Sequence, residues 1–375
     1  MRRKIGILFS SNENWIGGTY YILNLVSSFL SLDDSERPEV IVISWNINDA
    51  EIVKKTGYPY VSFLNLYIPY NFLEKILFKL FPEFTKKNVI KKYDRKQIDV
   101  LFPATTNDKF LNIENKIFWI ADFQEHYYRD FFEESEIQQR QFSQIKIAGS
   151  TNNLILSSNS SKKDFEKFYP DHKCKTYVVN FAVTHPIYNQ IDIENLKKKY
   201  HIVGKYFISP NQFWKHKNHK VVIDAVKLLK EKGIHVLLVF TGKEHDRRNP
   251  AYTDELKKYV QDSNLSEQIL FLGFIDRSEQ LQLMNNAEAV IQPSLFEGWS
   301  TVVEDAKAMN QYVIASYIDV HKEQLHENCS FFDPLNAVEL ADKIFEMQEM
   351  IIDRSNNHYS DKVKKFAEAF LGAIN

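Results

Sequence analysis

The chain has 375 residues, more than one ordinary domain holds, and this length suggests two. Apolar residues make up 44% and charged residues 26%, which excludes a disordered chain, a collagen and a coiled coil. With 47 Lys plus Arg against 49 Asp plus Glu, the formal charge is −2, so no basic excess points to nucleic acid and no acidic excess to a solvating tail. The two cysteines, Cys174 and Cys329, are far apart and lack a Cys-x-x-Cys partner. That excludes a disulfide framework and a Cys-based zinc site, and fits a reducing compartment.

The apolar run Ile5 to Phe9 is too short for a signal-peptide core and reads as a buried first strand. No stretch approaches the roughly eighteen apolar residues of a membrane span, so a cytoplasmic protein is expected. Further candidate strands are Glu39–Trp45, Val100–Pro103, Lys116–Ile120, Asn153–Leu156 and Thr176–Asn180. A second series comprises Tyr206–Ser209, His235–Thr241, Ile269–Phe271, Ala289–Gln292 and Tyr312–Ala315. Amphipathic helical patterns lie between them, at Thr19–Leu32, His219–Lys232, Asp254–Asp262, Ser278–Asn286 and Thr301–Met309. Continuous apolar strands alternating with such helices indicate parallel sheets covered on both faces. Phe181–Ile202 interrupts the rhythm and places a boundary near Tyr188–Asp192. The expected architecture is α/β: two doubly wound, Rossmann-like domains, residues 1–190 and 191–354, facing each other across a cleft. A last helix within residues 355–375, patterned over Asp361–Ala373, is expected to return to the first domain. Ligands of such sheets bind beyond the carboxyl ends of the strands.

The most informative segment runs from Gln292 to Glu304, QPSLFEGWSTVVE. A buried strand ends at Gln292, a Pro-Ser turn follows, and a helix begins near Ser300 or Thr301. The glycine turn presents the positive end of that helix to an anion, while Glu297 and Glu304 can accept hydrogen bonds from sugar hydroxyls. This segment resembles the signature of the family 4 retaining glycosyltransferases, which adopt the GT-B fold. The usual form has seven residues between two glutamates, as in E-G-F-G-L-P-x-x-E. Here six separate Glu297 from Glu304. The resemblance implies that Glu297 contacts the donor sugar and Glu304 the ribose.

The segment Ser209 to His219, SPNQFWKHKNH, follows the first strand of the second domain. The family places an Arg and, five residues later, a Lys here on the leaving diphosphate. Lys217 matches the Lys, Gln212 stands where the Arg is expected, and Lys215 is a candidate to compensate. An ammonium in that place would stabilise the charge that appears on the diphosphate as the sugar leaves. Near the N-terminus, Gly17 and Gly18 open a helix and resemble the Gly-rich loop that faces the cleft. The block WIADFQEHYY from Trp119 resembles a W-I-P-D-F-Q-H block of bacterial family members. It implies cleft positions for Asp122 and His126, with Ala121 replacing the Pro and Glu125 the His. Gly242 and Phe274 resemble the strand-end glycine and the residue near the nucleobase. Phe274 belongs to the segment Phe271–Ile275, FLGFI.

No Asp-x-Asp occurs, which with Lys217 present argues for leaving-group stabilisation without a metal. The resemblance implies no cofactor beyond the donor substrate, a UDP- or GDP-linked sugar, and an acceptor that is a glycan or a lipid-linked glycan. Lys75 to Lys96 carries eight basic residues against Glu83 and Asp94, a net +6 over 22 residues interleaved with Phe and Leu. Such a stretch would lie on an anionic membrane as a peripheral contact, or serve as a solvated helical face. The expected function is transfer of a hexose or N-acetylhexosamine from a nucleoside diphosphate sugar to an acceptor hydroxyl, in bacterial surface polysaccharide or glycoconjugate synthesis. The alternatives are a sugar-nucleotide hydrolase or epimerase on the same scaffold, and a non-catalytic GT-B scaffold protein.

Overall fold

The computed structural model describes residues 2–11, 16–46, 48–66, 98–106, 113–347, 350 and 358–375. Strands β1 (Lys4–Leu8), β2 (Glu39–Ser44), β3 (Val61–Asn65) and β4 (Val100–Phe102) form a parallel sheet in the order β3-β2-β1-β4. Strands β5 (Ile117–Ile120), β6 (Asn153–Leu156) and β7 (Lys175–Val178) form a second, and a parallel bridge from Leu101 to Lys116 joins the two edges. Ile5 pairs with Val40 on one side and Val100 on the other. Successive residues point to opposite faces, so β2 sends Val40 and Val42 into one core and Ile41 and Ile43 into the other. That two-sided demand explains the near-continuous apolar strands.

The second domain holds β8 (Phe207–Pro210), β9 (Leu238–Thr241), β10 (Ile269–Phe271), β11 (Val290–Gln292), β12 (Val313–Ser316) and β13 (Cys329–Phe332). Their order is β10-β9-β8-β11-β12-β13, all parallel. The winding reverses between β8 and β11, which opens a crevice beyond their carboxyl ends. The loops that follow these two strands carry Lys217 and Glu297. The final helix, Tyr359–Ile374, returns to the first domain, where Phe366, Phe370 and Ile374 join the core that contains Ile5 and Phe102. Among the described residues no helix is long and apolar enough to cross a membrane. The basic stretch Lys75–Lys96 lies outside the described residues.

Strands β3 and β13 are additions to the expected set. Both are sheet edges, and their half-buried side chains lack the continuous apolar run of the inner strands.

Glu323 of the second domain closes onto the first. Its carboxylate accepts from Asn159 N at 2.9 Å, Asn159 Nδ2 at 2.8 Å and Ser160 N at 3.2 Å, at the start of the helix Asn159–Phe168. Those backbone N–H groups have no partner within their own helix, and the helix dipole favours an anion there. Glu323→Ala should cost about 1–2 kcal/mol of stability and loosen the domain contact. Thermal denaturation and the radius of gyration from solution scattering measure both. An unchanged melting temperature and radius would show that Glu323 does not hold the domains together.

Candidate active site

The cleft between the domains has about 1240 Å³ of empty space, counted out to the open solvent at its mouth. Its second-domain wall begins where β9 ends. Gly242 has φ +146°, and a Cβ there would lie 2.1 Å from the Asn211 carbonyl oxygen, so only glycine lets the two strand ends approach. Asn211 Nδ2 donates to Gln292 Oε1 at 2.9 Å, and Gln292 Nε2 donates to Glu297 Oε1 at 2.8 Å. Asn218, left-handed at φ 55°, ends the turn Lys215–Lys217 and donates to the Pro293 and Pro334 carbonyls. That turn aims Lys217 at the same carboxylate, with Nζ 2.5 Å from Glu297 Oε1. Ser294 Oγ adds a third donor at 2.7 Å. Burial pushes the Glu297 carboxyl up, but Lys217 and its other donors outweigh burial and hold it below the ordinary carboxylate range. The neighbouring His321 imidazole is driven down to about 4 by burial and is neutral at pH 7.

Ser300 caps the helix Thr301–Ala308, its Oγ accepting from Val303 N, and its own N–H donates to Gln324 Oε1. The Ser300 amide is therefore engaged within the protein, while Ser300, Thr301 and Val302 all face the cleft. Two adjacent acids on this helix stand in different surroundings. Glu304 is buried and does not line the cleft. Its Oε1 accepts from Lys307 and Gln324, and its Oε2 from the Tyr359 hydroxyl at 2.5 Å. Asp305, one residue on, does line the cleft. Its Oδ1 is 2.5 Å from Arg277 Nη2 and 3.0 Å from His185 Nε2. Burial raises the Asp305 carboxyl, and Arg277 and His185 more than offset it, leaving it below the ordinary range. A helix turns about 100° per residue, so adjacent acids point to different surroundings.

The first-domain wall carries Gly17, Gly18, Tyr20, Trp119, Asp122 and Gln124. Asp122 is pushed up by burial, which the more distant Arg140 only partly offsets. His126 points elsewhere: its ring stacks 3.9 Å from Phe168 and its Nε2 lies 3.2 Å from Gln144 Oε1. The residue at the family's histidine place, Glu125, is fully buried and accepts from Gln144 at 2.5 Å and Arg140 at 3.4 Å. The walls meet at Gly298, where a Cβ would lie 2.2 Å from the Ala121 carbonyl oxygen and 2.9 Å from Asp122 Cβ. Across the cleft, the Arg277 guanidinium lies 4.9 Å from the centre of the Tyr20 ring.

Of the thirteen candidates named from sequence, Lys215 included, ten line the cleft: Gly17, Gly18, Asp122, Gln212, Lys217, Gly242, Phe274, Glu297, Ser300 and Thr301. Lys215, Glu304 and His126 do not. Sequence reasoning missed Asp305, Arg277, Lys243 and Gln124. The seven-residue spacing counted from Glu297 lands on Asp305 and was the available signal for it. Arg277 and Lys243 lie outside the family segments, so no motif marks them.

Two Rossmann-like domains that meet over one cleft, at the switch point of the second sheet, make up the GT-B fold. Residues 192–365 match the model of the family described as Glycosyl transferases group 1. The O-antigen chain mannosyltransferase RfbU of Salmonella typhimurium is 24% identical over 315 residues, 82% of each chain. A glycosyltransferase of Rickettsia africae superposes with a TM-score of 0.68 at 17% identity, over 100% of this chain and 93% of that one. Anabaena Alr3699/HepE, solved with UDP and glucose, superposes with a TM-score of 0.67 at 16% identity, over 99% and 95%.

Gly298→Ala should force the walls apart, because both obstructing groups are backbone or Cβ and cannot swing aside. Gly17→Ala, which meets nothing within 4 Å, is the control. Scattering should show the first variant expanded and the second unchanged, with circular dichroism unaltered in both.

Proposed function

We propose that the chain is a retaining glycosyltransferase. In this reading it moves a hexose or N-acetylhexosamine from a UDP- or GDP-linked donor to an acceptor hydroxyl, on a glycan or lipid-linked glycan of bacterial surface polysaccharide or glycoconjugate synthesis. The observation that carries this proposal is the Lys217–Glu297 pair at the switch point, beside the start of the helix Thr301–Ala308. An ammonium and a helix N-terminus suit a diphosphate, and a fixed carboxylate suits sugar hydroxyls. The named activity of RfbU and the ligands of Alr3699/HepE are of the same chemistry.

Within this proposal Lys217 stabilises the leaving diphosphate and Glu297 orients the sugar. Asp305 takes the ribose-facing role, since it lines the cleft and Glu304 does not. Lys243 and Arg277, also on the wall, supply cations that Gln212 cannot. Leaving-group charge is then balanced by side chains without a metal, and turnover should persist in excess EDTA. Loss on chelation with recovery on Mg²⁺ or Mn²⁺ would contradict this. Peripheral contact with an anionic membrane through Lys75–Lys96 belongs to the same proposal, and co-sedimentation with anionic and neutral vesicles tests it.

A thermal-shift screen with UDP- and GDP-linked sugars should show stabilisation by the true donor. Lys217→Ala should then lower kcat about a hundredfold, with a smaller change in donor KM. Asp305→Asn should weaken nucleoside diphosphate affinity about tenfold. Glu304→Gln should leave that affinity unchanged. If Glu304→Gln weakens the nucleotide and Asp305→Asn does not, the two assignments are reversed.

A further inference from the structure

Gln124 opens the single-turn helix Gln124–Tyr127 after β5. Its backbone is pinned on both sides: its N–H donates to Asp122 Oδ1 at 3.2 Å, and its carbonyl accepts from Tyr128 N at 2.9 Å. The residue is 7% exposed and forms part of the cleft wall. Its side-chain nitrogen, Nε2, is buried and has no hydrogen-bond partner. A carboxamide nitrogen carries two donors, and burying them unpaired costs about 1–3 kcal/mol. Folded proteins rarely leave such a group without a reason. Among the described residues, the other cleft-wall side chain with such an atom is Tyr21, through its hydroxyl. The Tyr21 ring is held by Trp119, Phe102, Phe181 and Phe366, so apolar packing accounts for its place.

We propose that Gln124 is a sugar-recognition residue whose amide donates to a hydroxyl oxygen of the transferred sugar; this rests on the glycosyltransferase reading above. Asp122 lies on the same stretch of wall, so an anionic phosphate is repelled there. A sugar hydroxyl, by contrast, accepts from the amide and still has a proton to donate to a carboxylate. The close approach of Gly298 to Ala121 and Asp122 brings this wall against the loop of Glu297, where the donor sugar is proposed to lie.

The experiment uses the full chain and whichever of UDP-glucose, UDP-N-acetylglucosamine or GDP-mannose stabilises it, with the monodeoxy analogues of that donor. The wild type should discriminate against one analogue, and Gln124→Leu should accept that analogue as well as its parent. Gln124→Leu should also lose about tenfold in kcat/KM for the parent donor, with nucleoside diphosphate affinity and the melting temperature of the empty protein kept or raised. If the Leu variant does not fold, Gln124→Met, closer in length and shape, is read in the same way. Unaltered discrimination at every hydroxyl overturns the assignment. So does a fall in the empty protein's melting temperature that accompanies the loss of activity, which marks a packing role. Failure of every nucleotide sugar to stabilise the wild type overturns the glycosyltransferase reading itself, whatever the Gln124 variants do.

Discussion

Lys217 and Glu297 leave neighbouring strands, β8 and β11, and meet at 2.5 Å with both charged groups largely withdrawn from water. Two charges taken out of solvent destabilise a fold unless their remaining hydrogen-bonding capacity is met. Here Gln292 and Ser294 meet it on the carboxylate, and Asn211 in turn holds Gln292. The pair is thus the centre of a network that joins the end of β8 to the end of β11 and the turn that follows it. Its rigidity fixes the path of residues 293–300, and that path decides where Gly298 and Trp299 stand.

From those two residues the second domain reaches the first. Gly298 abuts Ala121, and Trp299 Nε1 donates to the Phe181 carbonyl at 3.0 Å. Behind them Gln324 bonds both the N–H and the carbonyl of Ser300 and also reaches Glu304. Glu304 accepts from Tyr359, whose hydroxyl also receives the Val183 N–H. The helix whose N-terminus faces the cleft is therefore tied at its other side to the returning C-terminal helix and to the chain between the domains. The aim of Glu297 is held by one set of hydrogen bonds and the seat of the helix Thr301–Ala308 by another, in which the buried Glu304 is held by Lys307, Gln324 and Tyr359.

The inner strands were readable because burial on both faces demands continuous apolar residues. The edges β3 and β13 escaped because they do not meet that demand. The loops at β8 and β11 were readable because glycine, lysine and paired acids are rare in combination. What was not readable is direction. Which of Glu304 and Asp305 lines the cleft depends on the helical phase, which the sequence does not show. His126 matched by type, yet its neighbour Glu125 occupies the buried place beside Gln144, and the imidazole turns onto Phe168. Gln124 stands at the Gln of the W-I-P-D-F-Q-H pattern, yet residue type alone assigned it no role, because an amide signals function only when its partner is missing, and partners are a property of the fold.

The acids of the cleft divide by environment. Glu297 has Lys217, and Asp305 has Arg277 and His185, and both carboxyls are held below their ordinary range. These two are anions at pH 7, suited to accept hydrogen bonds from sugar hydroxyls. Asp122 is different: burial dominates, its cation Arg140 is 4.0 Å away, and its carboxyl is pushed up. Two groups of one chemical type with opposed shifts are the usual mark of different tasks. In the proposed transfer an acceptor hydroxyl must lose a proton as it attacks. Of the three wall acids, Asp122 alone lacks a close cationic partner that would weaken it as a base. It also stands on the domain opposite the nucleotide, beside the amide of Gln124. A base across the sugar from the leaving diphosphate would direct inversion, so in the retaining transfer proposed above Asp122 is suited to accept a hydrogen bond from a sugar hydroxyl beside Gln124 rather than to receive the acceptor's proton.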